Sequence, residues 1–295
     1  MSRRAMTVGT LLRAATAWLA GAGYDEARIT AELLLAGALA TNRAGVYARL
    51  ADPISPALRA EFERLLARRA NGEPVAYILG EREFYGLPFA VRPGVLVPRP
   101  ETELLVELAL DHLRAHRLAA PRIVDVGTGS GAVAVVLATL LPSARVLAVD
   151  LSPDAVAVAR ENAARHHVLD RVEVRVGDQL DGVEAGWDLI VGNLPYIPSA
   201  TVDALDHGVR DWEPRLALDG GDDGLALHAR LLDQVGPLLE PGGLLALEIA
   251  DDRGQAALSL FRSRLPGAEI ELLTDVFGRD RVVRAIVPPR QERSP

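Results

Sequence analysis

Residues 123–150 limit what this chain can fold into more than any other stretch. Ile123–Val126 has strand composition and runs into Asp125-Val126-Gly127-Thr128-Gly129-Ser130-Gly131. A helix-forming segment, Ala132–Leu141, follows, and then a second strand, Val146–Asp150, that ends on an acid. Glycines between a strand and a helix permit a tight turn and let a ligand approach the helix N-terminus. Asp150 lies 19 residues beyond Gly131. A carboxylate there can accept hydrogen bonds from both ribose hydroxyls of a nucleoside. A glycine loop alone is a weak signal; the complete strand–loop–helix–strand–acid order is a much stronger one.

The remainder of the chain extends this pattern. Strands are expected at Val172–Val176, Trp187–Val191 and Gly243–Ile249, with helices at Pro153–His166, Leu225–Leu239 and Gln255–Leu265. Such alternation means α/β, a parallel sheet with helices on both faces. Ile270–Leu273 and Val282–Val287, separated by Gly278-Arg279-Asp280, suit an antiparallel pair at the sheet edge. Residues 5–70 instead place apolar side chains at helical spacing: Leu11, Leu12, Ala15, Trp18 and Leu19, then Ile29 and Leu33–Leu35. After Pro53-Ile54-Ser55-Pro56 comes a further face of Leu58, Phe62, Leu65 and Leu66. Four or five short helices are predicted. Val75–Leu79 and Phe84-Tyr85 have strand composition, Gly86-Leu87-Pro88 reads as a turn, and Phe89–Val91 as the returning strand. A helix is expected from about Glu101 to His116. The domains expected are a helical bundle at 1–73, a linking β-hairpin at 74–97 and the sheet domain at 98–290. The tail Gln291–Pro295 is expected to be disordered.

Composition narrows the function. With no cysteine, disulfides and thiolate metal sites are excluded. The six histidines form no metal-ligand spacing with acids, so no metal is expected. Net charge is −8, which disfavours stable nucleic-acid binding, since phosphate affinity needs clustered cations. All 32 basic residues are arginine, ten of them in residues 1–75 against seven acids; that part is +3 and the rest −11. The first residues resemble a signal peptide, but Arg13 interrupts the apolar run and Asp25-Glu26 follow. No uncharged apolar stretch reaches ~18 residues. A cytoplasmic protein without a membrane span is expected.

The glycines are spaced G-x-G-x-G, not G-x-G-x-x-G, and the loop opens with Asp125. A carboxylate beneath the loop would repel a pyrophosphate but suits the sulfonium and amino group of S-adenosylmethionine. Gly127, Thr128, Gly129, Ser130 and Gly131, with Asp125 and Asp150, are therefore the expected binding residues for that cofactor. Asp178, with Gln179 beside it, could lie near the adenine or be a turn aspartate. Asn193-Leu194-Pro195-Tyr196 follows the fourth strand, at the sheet end where open parallel sheets place ligands. An amide nitrogen is a poor nucleophile because its lone pair is delocalised. Asn193 Oδ1 and a backbone carbonyl can hold its two N–H groups and aim it. Pro195 forces Leu194 into an extended conformation, turning the Leu194 carbonyl toward the site, and Tyr196 can pack on a planar amide. Catalysis would be mostly positioning. The plainer reading is a strand-end turn.

The chain resembles the HemK/PrmC family, the release-factor glutamine N5-methyltransferases. Matching segments are Phe84–Leu87, Pro98-Arg99-Pro100-Glu101-Thr102-Glu103, Asp125–Gly131, Asn193–Tyr196, Glu213–Leu218, Gly220–Leu225 and Gly278–Arg281, in order over roughly residues 70–287. The resemblance implies a seven-stranded, Rossmann-like class I methyltransferase domain behind a helical domain that docks a peptide-chain release factor. It implies methylation of the glutamine of a Gly-Gly-Gln tripeptide, with Gly127–Gly131, Asp150 and Asn193 at the donor and Asn193–Tyr196 at the glutamine. The family usually has Asn-Pro-Pro-Tyr; Leu194 replaces the first proline and keeps the carbonyl. The resulting Asn-Leu-Pro-Tyr also resembles the ribosomal-RNA adenine dimethylases, making an rRNA adenine N6-methyltransferase the alternative. Net acidity, the N-terminal helical domain and Pro98–Glu103 weigh against it. Gln179 stands where the family often has a large apolar residue. Arg99, Thr102, Glu103, Glu213 and Arg215 have two readings: a hinge with Thr102 as helix cap, or a cover over the donor site.

Overall fold

The computed structural model describes residues 6–288; Met1–Ala5 and the tail Gln291–Pro295 lie outside the described residues. The chain divides into two compact units. One comprises residues up to Gly80 together with His207–Trp212, the other Glu81–Asp206 and the chain from Glu213 onward.

The first unit holds α1 (Val8–Gly21), α2 (Ala27–Ala38), α3 (Arg43–Ala48), α4 (Pro56–Ala70) and α5 (Val75–Leu79). Their starts follow the side chains. Thr7 and Thr10 form a reciprocal capping box on α1, Asn42 caps α3, and Ser55 caps α4 ahead of Pro56 at its first turn. The core gathers Leu19, Leu34, Leu35, Val46 and Phe62, all fully buried. Val75–Leu79 corrects an expectation: it is a helix, not a strand. Pro74 precedes it and Gly80, at φ +75°, ends it in the left-handed region. That Pro-before, Gly-after bracket outweighs the β-propensity of Val, Tyr and Ile. The guanidinium of Arg68 donates to the Ile78 carbonyl at 3.1 Å, serving a helix-end acceptor.

The second unit opens with the hairpin β1 (Glu81–Phe84) and β2 (Leu87–Ala90). The turn is Tyr85-Gly86, both at positive φ (51° and 75°), as a two-residue type I′ turn requires. It lies one residue earlier than the sequence suggested. After a single 3-10 turn, Pro100–Thr102, the elements are α6 (Glu103–His116), β3 (Arg122–Val126), α7 (Ala132–Leu140), β4 (Arg145–Asp150), α8 (Pro153–Arg165), β5 (Val172–Val176) and β6 (Trp187–Gly192). Then come α9 (Ser199–Val202), α10 (His207–Arg210), which groups with the first unit, α11 (Ala226–Val235), β7 (Leu239–Glu248), α12 (Gly254–Arg264), β8 (Glu269–Thr274) and β9 (Asp280–Ile286). Seven strands form one sheet in the order β5-β4-β3-β6-β7-β9-β8. All pairings are parallel except those of β9, which runs antiparallel to β7 and β8. The class I methyltransferase architecture expected of the sequence is present. Apolar side chains pack on both faces: Ile123, Val135, Leu137 and Leu189 on one, Val124, Ile190, Leu245 and Phe261 on the other. Chain order reverses between β3 and β6, so a crevice opens at their C-terminal ends.

Candidate active site

The glycine loop leaves β3 at that crevice. Gly127, Gly129 and Gly131 all have positive φ. At Gly131 space is limiting as well: a Cβ would meet Ala159 at 3.0 Å, which is how α8 approaches the loop. Asp125 is buried beneath. Its Oδ2 accepts from Thr128 Oγ1 at 2.6 Å and from the Ala134 N–H at 3.1 Å. Burial pushes this carboxyl up to about 6, against those hydrogen bonds. Asp125 thus braces the loop from inside, a role the sequence did not suggest. Oδ1 takes no bond among the described residues. Asp150 ends β4 and latches the loop's other side: Oδ2 accepts from the Gly129 N–H at 2.8 Å and Oδ1 from the Ser152 N–H at 2.9 Å. Each oxygen retains a lone pair for a ligand. Burial raises this carboxyl too.

These residues line a cavity of about 500 Å³, together with Ser130, Asp178, Gln179, Asn193, Leu194, Pro195, Arg99 and Arg215. That size falls within roughly 300–1,000 Å³, the span of small-molecule sites. Asp178 pairs with Arg230. Gln179 is buried, donating to the Leu227 carbonyl at 2.8 Å and accepting from Arg230 Nε at 3.0 Å. Arg99 donates to both oxygens of buried Glu213 (2.9 and 2.7 Å), and burial raises Glu213 despite that guanidinium. Arg215 pairs with Asp203 and Asp219. Among the described residues, Asp125 and Asp150 are the carboxylates of the lining that no arginine pairs. A ligand bearing positive charge beside a nucleoside fits that arrangement, so the residues present suit S-adenosylmethionine.

Asn193–Tyr196 follows β6, as the sequence predicts. Asn193 Nδ2 donates to Thr102 Oγ1 at 2.9 Å. Thr102 Oγ1 donates to Glu248 Oε2 at 2.7 Å, and Tyr196 Oη donates to Glu248 Oε1 at 3.2 Å. Glu248 ends β7, fully buried, and burial lifts its carboxyl to about 7 against the Thr102 and Tyr196 bonds. Burial also raises the Tyr196 phenol. Thr102 therefore does not cap α6 with its side chain. Glu103 reaches the hairpin, accepting the Tyr85 N–H at 2.8 Å. Tyr196 is not part of the cavity lining. The glycine-rich segment after Asp219 packs on the motif's backbone: a Cβ at Gly220 would lie 2.6 Å from the Pro195 carbonyl, and one at Gly224 would lie 2.3 Å from that of Tyr196.

Three contributors escaped sequence reasoning. Glu248 left one usable signal, an acid in the otherwise apolar run Leu244–Ile249 at a strand's C-terminal end. His228 is buried with Nε2 2.8 Å from the Glu248 carbonyl. Asn162 of α8 bonds the Ser130 carbonyl at 2.8 Å and both backbone groups of Ala90, tying hairpin to loop. Neither left a pattern.

Residues 10–80 match the PrmC N-terminal domain, and residues 100–207 the Methyltransferase small domain. A release factor glutamine methyltransferase of Moorella thermoacetica is 44% identical over 94% of this chain and 97% of its own. One of Geobacter sulfurreducens is 42% identical over 94% and 95%. Among solved structures, the catalytic domain of hMettl16 has a TM-score of 0.53 at 16% identity, over 70% of this chain and 79% of that one; this likeness concerns the fold alone. Sheet order and a cavity at the switch point place the chain among the class I methyltransferases. Identity above 40% across nearly the whole length of two relatives narrows that. The chain belongs to the release factor glutamine methyltransferase family.

Proposed function

We propose that this chain transfers a methyl group from S-adenosylmethionine to the side-chain amide nitrogen of the glutamine in the Gly-Gly-Gln motif of peptide-chain release factors. The observation that carries the reading is the state of Asn193. Its amide N–H goes to Thr102 and the residue lines the cavity beside the glycine loop, so Oδ1 would remain as an acceptor there. The bound donor supplies an electrophilic methyl on a sulfonium. Asp150 would hold the ribose, and Asp125, through Oδ1, would face the donor's cationic end. Asp178 and Gln179 would lie toward the adenine.

Asn193 Oδ1 and the Leu194 carbonyl would accept the two N–H bonds of the substrate amide. That fixes the direction of a weak nucleophile, a contribution of positioning. Both acceptors also stabilise positive charge as it develops on the nitrogen. Residues 1–73 are read as the surface that docks the release factor, and the setting is the cytoplasm. The test is methyl transfer from labelled donor to purified release factor and to its Gln→Ala variant at Gly-Gly-Gln. Label on the first alone is expected. Label on neither, with donor binding intact, would overturn the substrate and make an RNA adenine the next one tried.

A further inference from the structure

We infer that Thr102 and Glu248 are positioning residues that set which face of the Asn193 amide meets the substrate; the inference rests on the function proposed above. A threonine hydroxyl has one proton. Thr102 gives it to Glu248 Oε2 at 2.7 Å, so toward Asn193 it can only accept. Asn193 must then present Nδ2 to Thr102, as found at 2.9 Å, and Oδ1 to the cavity. Were Thr102 to donate to Asn193 instead, the amide would turn and present N–H groups to a substrate that is itself an N–H donor. The direction of the chain is therefore a condition for productive binding. Glu248 also accepts from Tyr196, so one buried carboxylate orients the two polar side chains of the motif, Tyr196 directly and Asn193 through Thr102. The three segments joined are far apart in sequence.

The direction holds while Glu248 is ionised. Tyr196 faces it from the turn after β6, Arg281 from β9 and Glu101 from the 3-10 turn, while His228 of α11 meets its backbone carbonyl. Arg281 favours the ionised form, whereas Glu101 and burial oppose it.

Thr102→Val keeps shape and loses the hydroxyl; Thr102→Ser does the reverse. Turnover in Thr102→Val should fall about tenfold or more, the cost of an unmade buried bond, with donor affinity, read by calorimetry, within about twofold. Thr102→Ser should stay within about threefold of wild type. Wild-type turnover should fall as pH drops through about 7, and this limb should vanish in Glu248→Gln, whose amide does not titrate and has one oxygen to offer Thr102. An active Thr102→Val, a Thr102→Ser as damaged as Thr102→Val, or a limb unchanged in Glu248→Gln would overturn the inference. Asn193→Ala, run alongside, separates the two readings. If it retains activity, the role assigned to Asn193 fails; if it is inactive while Thr102→Val is normal, the Thr102–Glu248 chain alone fails.

Discussion

The two sides of the cavity are held by different means. The glycine loop is held within one strand–loop–helix–strand unit: Asp125 accepts from the Thr128 hydroxyl and the Ala134 N–H, and Asp150, at the end of the next strand, accepts from the Gly129 and Ser152 N–H groups. The Asn193 side is held at long range, by side chains of Thr102 and Glu248 from two other segments. The first arrangement tolerates little change of backbone; the second depends on the direction of single protons. Damage on the two sides should therefore separate into lost donor affinity and lost turnover.

Asn193→Ala should show the largest effect. Removing one preorganised transition-state partner costs roughly 10²–10³-fold in turnover, and donor affinity should be nearly unchanged by calorimetry. Equal loss of both would erase the distinction between the two sides. Asp150→Ala should do the opposite. It frees the Gly129 N–H and removes the ribose acceptor, so donor affinity should fall about 10–100-fold while the KM for release factor stays put. A normal donor affinity would show that the loop needs no latch.

The pH dependence of stability sharpens the contrast further. The Asp125 carboxyl is raised from 3.8 to about 6, so its proton favours the folded state. That contribution is complete below pH 3.8 and is lost as pH rises through about 6. Asp125→Asn removes this dependence while keeping an acceptor for Thr128 and Ala134. The variant should gain on wild type by about 2–3 kcal/mol between pH 4 and pH 8, read from denaturant melts. A gain toward acid instead would mean that a cation pairs Asp125.

The same contrast explains what was legible in the sequence. Gly127–Gly131 and Asp150 form a contiguous pattern whose spacing carries its own geometry, and Asn193–Tyr196 announces itself by its place after a strand. Asn193, just after β6, comes near Glu248 because β6 and β7 are neighbours in the sheet, and Thr102 reaches both from the 3-10 turn ahead of α6, which packs on β7; no spacing encodes either fact. Val75–Leu79 departs from its composition for another reason: its residues favour strands, but Pro74 and Gly80 on either side decide for a helix. The short helices α9 and α10 lie in a segment with no sustained periodicity, and nothing in the pattern marked them.

Leu194→Pro, which restores the motif usual in the family, carries the smallest expected effect and tests the most specific claim about the Asn193 side. The Leu194 N–H makes no backbone hydrogen bond among the described residues, so a proline there removes none. Its carbonyl is preserved, and the preceding Asn193 is biased toward extended backbone. Turnover should therefore stay within about fivefold of wild type. The Leu194 side chain, however, is buried among Val126, Leu225 and Leu247, and trimming it should cost about 2 kcal/mol of stability. A lower melting temperature with retained turnover would show that position 194 serves the reaction through its backbone and the fold through its side chain. A fall in turnover of about a hundredfold, by contrast, would mean that the leucine side chain shapes the site. The Asn193 side would then depend on packing as well as on oriented hydrogen bonds.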